Sequence, residues 1–292
     1  MWAFHRYFLR YLFLGRTRQG ILFLALVGLF LSAFALTVIQ GVMGGLHRGL
    51  VDRSKAHHGM GMVLFTTQEA QSSEKELFAE AKAKGLHPVR ELEAELLIRH
   101  GNFVAPMVLH GVDLKETIPP FIKTKDMSGL IIGGELGQRL KLTFLNDVRL
   151  IAPGTTDAFM GEVPREIAAP VGDFLLSDVS EIDMAHGWAR LSLVQNLLRK
   201  REINRWRFFS AEEFLIAQDW LENRTGILGR SWEEQNSTLV WALNLEHRVM
   251  LALFVGMTFL VALQITTGLS LLFARIRPDL ASFWILGLSI QK

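Results

Sequence analysis

Few residues in this chain could carry chemistry. Glu91, Glu93 and Glu95 alternate along a segment of strand-like composition, which places three carboxylates on one face, as a metal or acid–base site would require. Leu92, Ala94 and Leu96 fall on the other face, so a solvated strand face over an apolar one accounts for the same alternation and is the preferred reading. His57 and His58 offer two imidazoles to a metal, but adjacent side chains on a strand diverge and no third ligand stands nearby. A pair in a loop or at a strand edge fits better.

The sequence contains no G-x-x-x-x-G-K-[ST], no H-E-x-x-H and no G-x-S-x-G, so ATP hydrolysis, zinc proteolysis and serine hydrolysis lack their usual groups. Cysteine is absent, which excludes disulfides and thiol chemistry. No catalytic residue, metal ligand or cofactor is assigned, and any energy the protein uses is expected from a partner.

The elements that must position these residues begin with two apolar runs. Residues 21–39 and 249–274 hold no charged residue, and each is long enough to cross about 30 Å of hydrocarbon as a helix. A secretory signal is the other reading of the first run, but the run is long for one and no cleavage site follows Gly41 to Gly45. Arg6, Arg10, Arg16 and Arg18 precede the first run, and Arg275, Arg277 and Lys292 follow the second against a single acid, Asp279. Basic flanks resist translocation, so both ends are placed in the cytoplasm. Removing these seven bases and one acid from totals of 31 and 29 leaves 24 bases and 28 acids between the runs, a mildly acidic middle that can be exported. The pI of about 9.0 therefore reflects topology, and a nucleic-acid partner has little support.

The fold class expected is α+β: a membrane protein with two transmembrane helices flanking a large extracytoplasmic domain. Residues 1–19 alternate aromatic and basic groups and are assigned to an interfacial amphipathic helix, a plain extension of the first span being the alternative. Residues 20–45 form the first span, 46–247 the extracytoplasmic domain, 248–275 the second span and 276–292 a cytoplasmic segment.

Within the domain, strands are predicted at Met60 to Thr66, Glu91 to His100, Phe103 to His110, Leu130 to Ile132, Asp147 to Ile151, from Pro164 to Leu176 and near Trp206 to Phe209. Ser73 with Glu76 is read as a capping box for a helix that stops at Gly85, and further helices are expected at Ala189 to Leu198 and after Ser210. Ser231 with Glu234 is taken to cap a helix that continues unbroken into the second span. The strands look too dispersed for a single sheet. Gln264 and Thr267 lie in the second span, where a polar side chain is expected to face another helix; a tolerated lipid-facing position is the alternative.

This arrangement resembles the permease subunits of the lipoprotein-releasing ABC transporter, of the LolC/LolE type within the MacB/FtsX-like superfamily. Arg10-Tyr11-Leu12 matches the element ahead of the first span, and Gly41 to Arg48 matches the pattern at its outer end, with Gly44 and Leu46 in place of Asn and Phe. Gly111-Val112-Asp113, Ile132 to Leu136 and Asp147-Val148 match three further strings, with Asn146 where Gly is usual.

The resemblance implies a non-catalytic permease of the bacterial inner membrane with a periplasmic domain. It would work with an ABC ATPase subunit that binds the ATP, a second permease subunit, a periplasmic lipoprotein chaperone and a lipoprotein cargo. It also implies a chaperone-binding loop at Pro153, Phe159, Met160, Gly161, Val163 and Pro164, where Met160-Gly161 and Val163-Pro164 match the family string and Asp157 to Phe159 diverge. Folding of Phe159 back into the core is the alternative for that loop. An ATPase-coupling segment is implied at Arg277, Asp279, Gly287, Leu288 and Ser289, with Pro278 and Asp279 replacing commoner residues. Family members carry two further spans, so this sequence is expected to be either a fragment or a shortened subunit. Other permeases of the superfamily, in efflux or cell division, and a two-span extracytoplasmic sensor are the rival readings.

The topology is testable directly. Reporter enzymes fused after Lys292 and within the loop at Gly154 are expected to report opposite compartments; the same compartment for both would overturn the assignment.

Overall fold

The computed structural model describes residues 19–122, 127, 129–157 and 163–285. The chain divides into two compact units, Met1–His47 with Thr238–Lys292, and Arg48–Ser237. The interfacial helix expected over residues 1–19 lies outside the described residues except for its last position.

Among the described residues, the first unit takes residues 19–47 of α1 (Gln19–His58) and all but the first residue of α8 (Ser237–Ile285); the last turns of α1 belong to the second unit. Both contain stretches long and apolar enough to cross a membrane, Phe30–His58 and Ser237–Ser270. Their large side chains are exposed rather than packed: Phe30, Phe34, Phe259 and Phe273 are all more than half accessible. Apolar surface on this scale is stable only against lipid or another apolar partner. His47 meets Glu246 at 2.9 Å within this unit. Both helices are longer than the spans read from the sequence, and α8 runs through Pro278 to Ile285 where a separate cytoplasmic segment was expected.

In the second unit the strands are β1 (Gly61–Phe65), β2 (Val89–His100), β3 (Phe103–Val112), β4 (Leu130–Gly133), β5 (Asp147–Asp157), β6 (Val163–Leu175), β7 (His186–Arg190), β8 (Arg205–Phe208) and β9 (Ile227–Ser231). The helices are α2 (Gln68–Ala83), α3 (Gly134–Arg139), α4 (Ser180–Ala185), α5 (Leu191–Leu198), α6 (Ala211–Leu221) and α7 (Trp232–Gln235). The α+β class is as expected, but these strands form one sheet rather than several.

The order β3-β7-β4-β6-β5-β2-β8-β1-β9, with β3 also bonded to β2, closes six strands into a ring and leaves β8, β1 and β9 as a branch. One core cluster takes side chains from every strand of that ring, among them Ile98, Leu109, Ile132, Leu150, Val171 and Ala189, and is completed by Leu136 of α3 and Val194 of α5. A second covers the branch, where Trp206 packs edge-on against Phe65 and Phe78 beneath α2 and α6. A third, including Val89, Val112, Ile131 and Trp188, covers the outer face of the ring.

Several boundaries differ from the sequence reading. The N-cap of α2 is Thr67, whose hydroxyl accepts from the Ala70 amide; Ser73 and Glu76 lie inside the helix, so the capping box predicted there does not form. The helix expected from Ala189 starts at Leu191, because His186–Arg190 is strand β7, parallel to β3. β9 was also missed: its apolar residues are too few to betray a short edge strand. The Ser231–Glu234 capping box is present, but its helix is one turn long. The backbone at Asn236, φ −106° and ψ 34°, separates it from α8, so the unbroken stalk is not formed.

Leu150 is fully buried in the ring, whereas Leu228 on β9 is exposed. Leu150→Ala is expected to cost about 2–5 kcal/mol of stability and Leu228→Ala no more than about 0.5 kcal/mol. Denaturant unfolding of the full chain in detergent checks this, and equal costs would place the core wrongly.

Candidate functional site

The three glutamates do not form a solvated face. Glu91 is fully buried, Glu93 is half-buried and only Glu95 is exposed, because the outer face of β2 lies beneath the third core cluster at its start and reaches water only further along. In register, Glu93 stands opposite His110 of β3, and Glu91 opposite Arg205 of β8. His110 in turn stands opposite Trp188 of β7. Four strands therefore bring residues far apart in sequence onto one small patch.

At its centre Arg207 donates through Nε to both oxygens of Glu91, at 3.0 Å each. Its Nη2 lies 3.6 Å from Glu93 Oε2, and Arg205 donates to the same oxygen. His110 and His186 share a hydrogen bond of 2.8 Å between Nε2 and Nδ1, their rings nearly parallel at 12°. The other nitrogen of His110, Nδ1, is 3.3 Å from Glu93 and 3.6 Å from Glu91, but without hydrogen-bond geometry. His58 meets His186 edge-on with ring centres 5.1 Å apart.

Asn204 secures the place where β8 parts from β2. Its side chain accepts from the Glu93 amide at 3.0 Å and donates to the Glu93 carbonyl at 2.8 Å, continuing the ladder by one rung. On the opposite face, Arg90 of β2 forks onto Glu74 of α2 at 2.8 and 2.6 Å, and the Trp206 indole donates to Glu74 at 2.7 Å. The same strand pair is thus pinned by a buried Arg–Glu pair on each side.

The patch also holds the end of α1. Arg207 Nη1 donates to the carbonyl of His58, the last residue of that helix, at 2.5 Å. Gly59 follows with φ +77°, and a Cβ there would come within 2.5 Å of the Phe208 carbonyl, so this position needs glycine on two counts. The Met60 amide then donates to Phe208 at 2.8 Å, and Ser54, one turn earlier, receives the Trp232 indole at 3.0 Å. His57–His58 is accordingly neither loop nor strand edge but the final turn of a helix docked on β8.

Electrostatics follow from this packing. Burial pushes the Glu91 carboxyl up, but Arg207, aided by His110 and Arg205, outweighs it and holds the group down at about 2. Burial, with His110 and Arg207 nearby, lowers His186 to about 3, so it is neutral. The Glu91, Glu93 and His110 donor atoms lie within 4.8 Å of one another, the span of a metal site. Guanidinium groups already bind both carboxylates, and Arg205 and Arg207 would repel a divalent cation at contact distance. The cluster is a joint that ties β2, β8 and the end of α1 together.

Of the family-implied loop, Pro153 and Pro164 are exposed, and Val163 opens β6. Ala152 pairs with Arg165 and Thr156 with Pro164, so Pro153 to Thr155 bulge from β5, as a residue without an amide hydrogen permits. Beyond Ile151 these two strands bond only to each other among the described residues, forming a two-stranded ribbon. Phe159, Met160 and Gly161 lie outside the described residues. So do Gly287, Leu288 and Ser289, while Arg277 is exposed on α8 and Asp279 belongs to the same helix. Gln264 and Thr267 are exposed, and the Thr267 hydroxyl donates to its own helix at Leu263, 2.8 Å away. The coupled cluster was not read from the sequence; charged residues alternating in both Glu91-x-Glu93 and Arg205-x-Arg207 are the one signal that could have suggested cross-strand pairing.

Together these features define a membrane-anchored α+β domain with a pinned helix end. No protein-family model matches the chain, and no curated protein does. Among solved structures, it is similar to the extracellular domain of the noncanonic ABC-type transporter YknZ from Gram-positive bacteria, with a TM-score of 0.35 and 12% identity over 59% of this chain and 99% of that one.

Two outcomes are expected of this cluster. Glu91→Gln leaves buried Arg207 with only the more distant Glu93 as counter-charge and should cost about 3 kcal/mol, most of it recovered in Glu91→Leu with Arg207→Met. For pH, a histidine held near 3 rather than its ordinary 6.5 contributes stability that is complete above 6.5 and lost as pH falls toward 3. Glu91, held near 2, adds a further loss below 4.5. The thermal midpoint should therefore fall between pH 7 and 5, where buried His58, held at about 2, acts in the same direction, and His186→Asn should make that part of the curve shallower. An unchanged slope would remove His186 from the cluster.

Proposed function

We propose that this chain is a permease subunit of an ABC transporter of the MacB/FtsX-like superfamily, of the type that extracts lipoproteins from the bacterial inner membrane and passes them to a periplasmic chaperone. The observation that carries this reading is the placement of the matched strings on the fold. Gly111-Val112-Asp113 closes β3, Ile132 to Leu136 spans the turn from β4 into α3, and Asp147-Val148 opens β5. Each lies at a junction between elements, where backbone geometry constrains the residue type most. The two exposed apolar helices and their basic flanks support a membrane assignment with the domain outside.

In this reading the chain does not hydrolyse ATP; a partner ATPase binds it and acts through the segment around Arg277 and Asp279. A second permease subunit covers the polar side of α8 at Gln264 and Thr267. The ribbon of β5 and β6 carries Phe159 and Met160 to the chaperone. Force applied through α1 would reach the sheet at the Arg207–His58 contact.

The test is reconstitution with a partner ABC ATPase, a second permease subunit and a lipidated cargo in proteoliposomes. Cargo should leave the membrane in complex with the chaperone only when ATP is present. Phe159→Ser with Met160→Ser should abolish chaperone capture without moving the thermal midpoint. Release of a different substrate class, or chaperone capture unaffected by the double variant, would reject the lipoprotein reading.

A further inference from the structure

Away from the joint, the outer domain contains a cleft of about 840 Å³, within the size range of ligand sites. It lies among α2, α5, the segment after α5 and the base of the β5–β6 ribbon. Lys75, Arg90, Arg165, Arg199 and Arg201 line it against two acids, Glu74 and Glu202. This sign runs against the rest of the domain. Residues 48–237 hold 23 Lys and Arg and 27 Asp and Glu, a net charge of −4, whereas the cleft lining is net +3.

The two acids do not cancel the five bases evenly. Glu74 is committed beneath the surface to Arg90 and to the Trp206 indole. Lys75 and Arg201 are exposed and enter no ion pair among the described residues, and Arg201 is anchored through its backbone carbonyl, which accepts from Gln195 at 2.8 Å. The chain follows an unusual course here: Arg199 adopts a left-handed conformation, φ 51° and ψ 29°, where α5 ends. A non-glycine residue in that region turns the segment carrying Arg201 back along the cleft. Like charges gathered this closely repel one another, and an anion that bridges them relieves the repulsion.

We propose that this cleft binds a phosphate-bearing anion. A phosphate group concentrates more negative charge than a carboxylate and presents oxygens that match a guanidinium fork, which Arg201 supplies beside the ammonium of Lys75 in a lining that is net positive. The lining is mostly polar, with Leu191 and Ile203 as its apolar residues, which suits a headgroup or a small phosphorylated compound rather than an acyl chain. The site is independent of the transport reading, since it rests on the charge and shape of this domain alone.

The test uses the full chain in neutral detergent at low salt, titrated calorimetrically with three probes: inorganic pyrophosphate, dihexanoyl phosphatidylglycerol below its micelle concentration, and a heptapeptide of Asp and Glu. Saturable binding of a phosphate probe is expected, weakened about tenfold for each charge removed in Lys75→Gln and Arg201→Gln and suppressed by salt. Both substitutions are on the surface, so the thermal midpoint serves as the folding control. Tighter binding of the lipid analogue identifies a headgroup as the source, and tighter binding of pyrophosphate a soluble phosphate. Absence of saturable phosphate binding, binding of the acidic peptide alone, or affinities unaltered in the double variant would overturn the proposal.

Discussion

A β-strand offers hydrogen-bonding edges on two sides only, yet β2 is bonded to three strands. It achieves this by dividing one edge: Val89 to Glu91 pair with β8 and Leu97 to Arg99 with β5, while the other edge pairs with β3 along almost its whole length. The ring closes through β5 and the branch departs through β8. Closure removes the free edges that six strands in an open sheet would expose, and the branch supplies a second surface for α2 and α6. Without the split strand the domain would be two separate sheets.

The split has an electrostatic cost that shapes the rest of the domain. Where β8 and β2 run together, both faces are covered, one by α2 and the other by the end of α1 and the third core cluster. Charges there must find partners, and they do so on each side: Arg90 with Glu74, and Glu91 with Arg207. Buried pairs of this kind contribute little net stability relative to apolar replacements. Their effect is on register. A slip of one residue along β8 would turn Arg207 toward the apolar cluster around Trp206 and strand Glu91, so the pairing that joins the branch to the ring is fixed by the penalty for any other.

The same arginine binds the last carbonyl of α1, which makes the branch point also the anchor of a helix whose earlier turns are apolar and exposed. A hydrogen-bonded histidine pair fills the space between that helix end and the ring. Beyond Ile151 the ribbon of β5 and β6 pairs only within itself among the described residues. The charge-reversed cleft lies beside the base of that ribbon.

The sequence by itself determined what depends on local pattern. Uncharged runs marked both apolar helices, strand-like composition marked β2 and β3, and Ser210 marked the start of α6. Each of these signals is complete within a dozen residues. Strand partnership is not: β7 was absorbed into the following helix because His186 to Arg190 has no alternation of its own and is held in place by parallel pairing to β3. The single closed sheet was likewise invisible, since its ring joins residues as distant as Val108 and His186. The same holds for the joint. Glu91 and Glu93 read as a wet face because the alternation shows two faces without showing what covers them. Only the folded chain brought Arg207, His110 and His58 over that face and turned solvated carboxylates into a buried anchor, since burial is a property of the whole packing and no single segment encodes it.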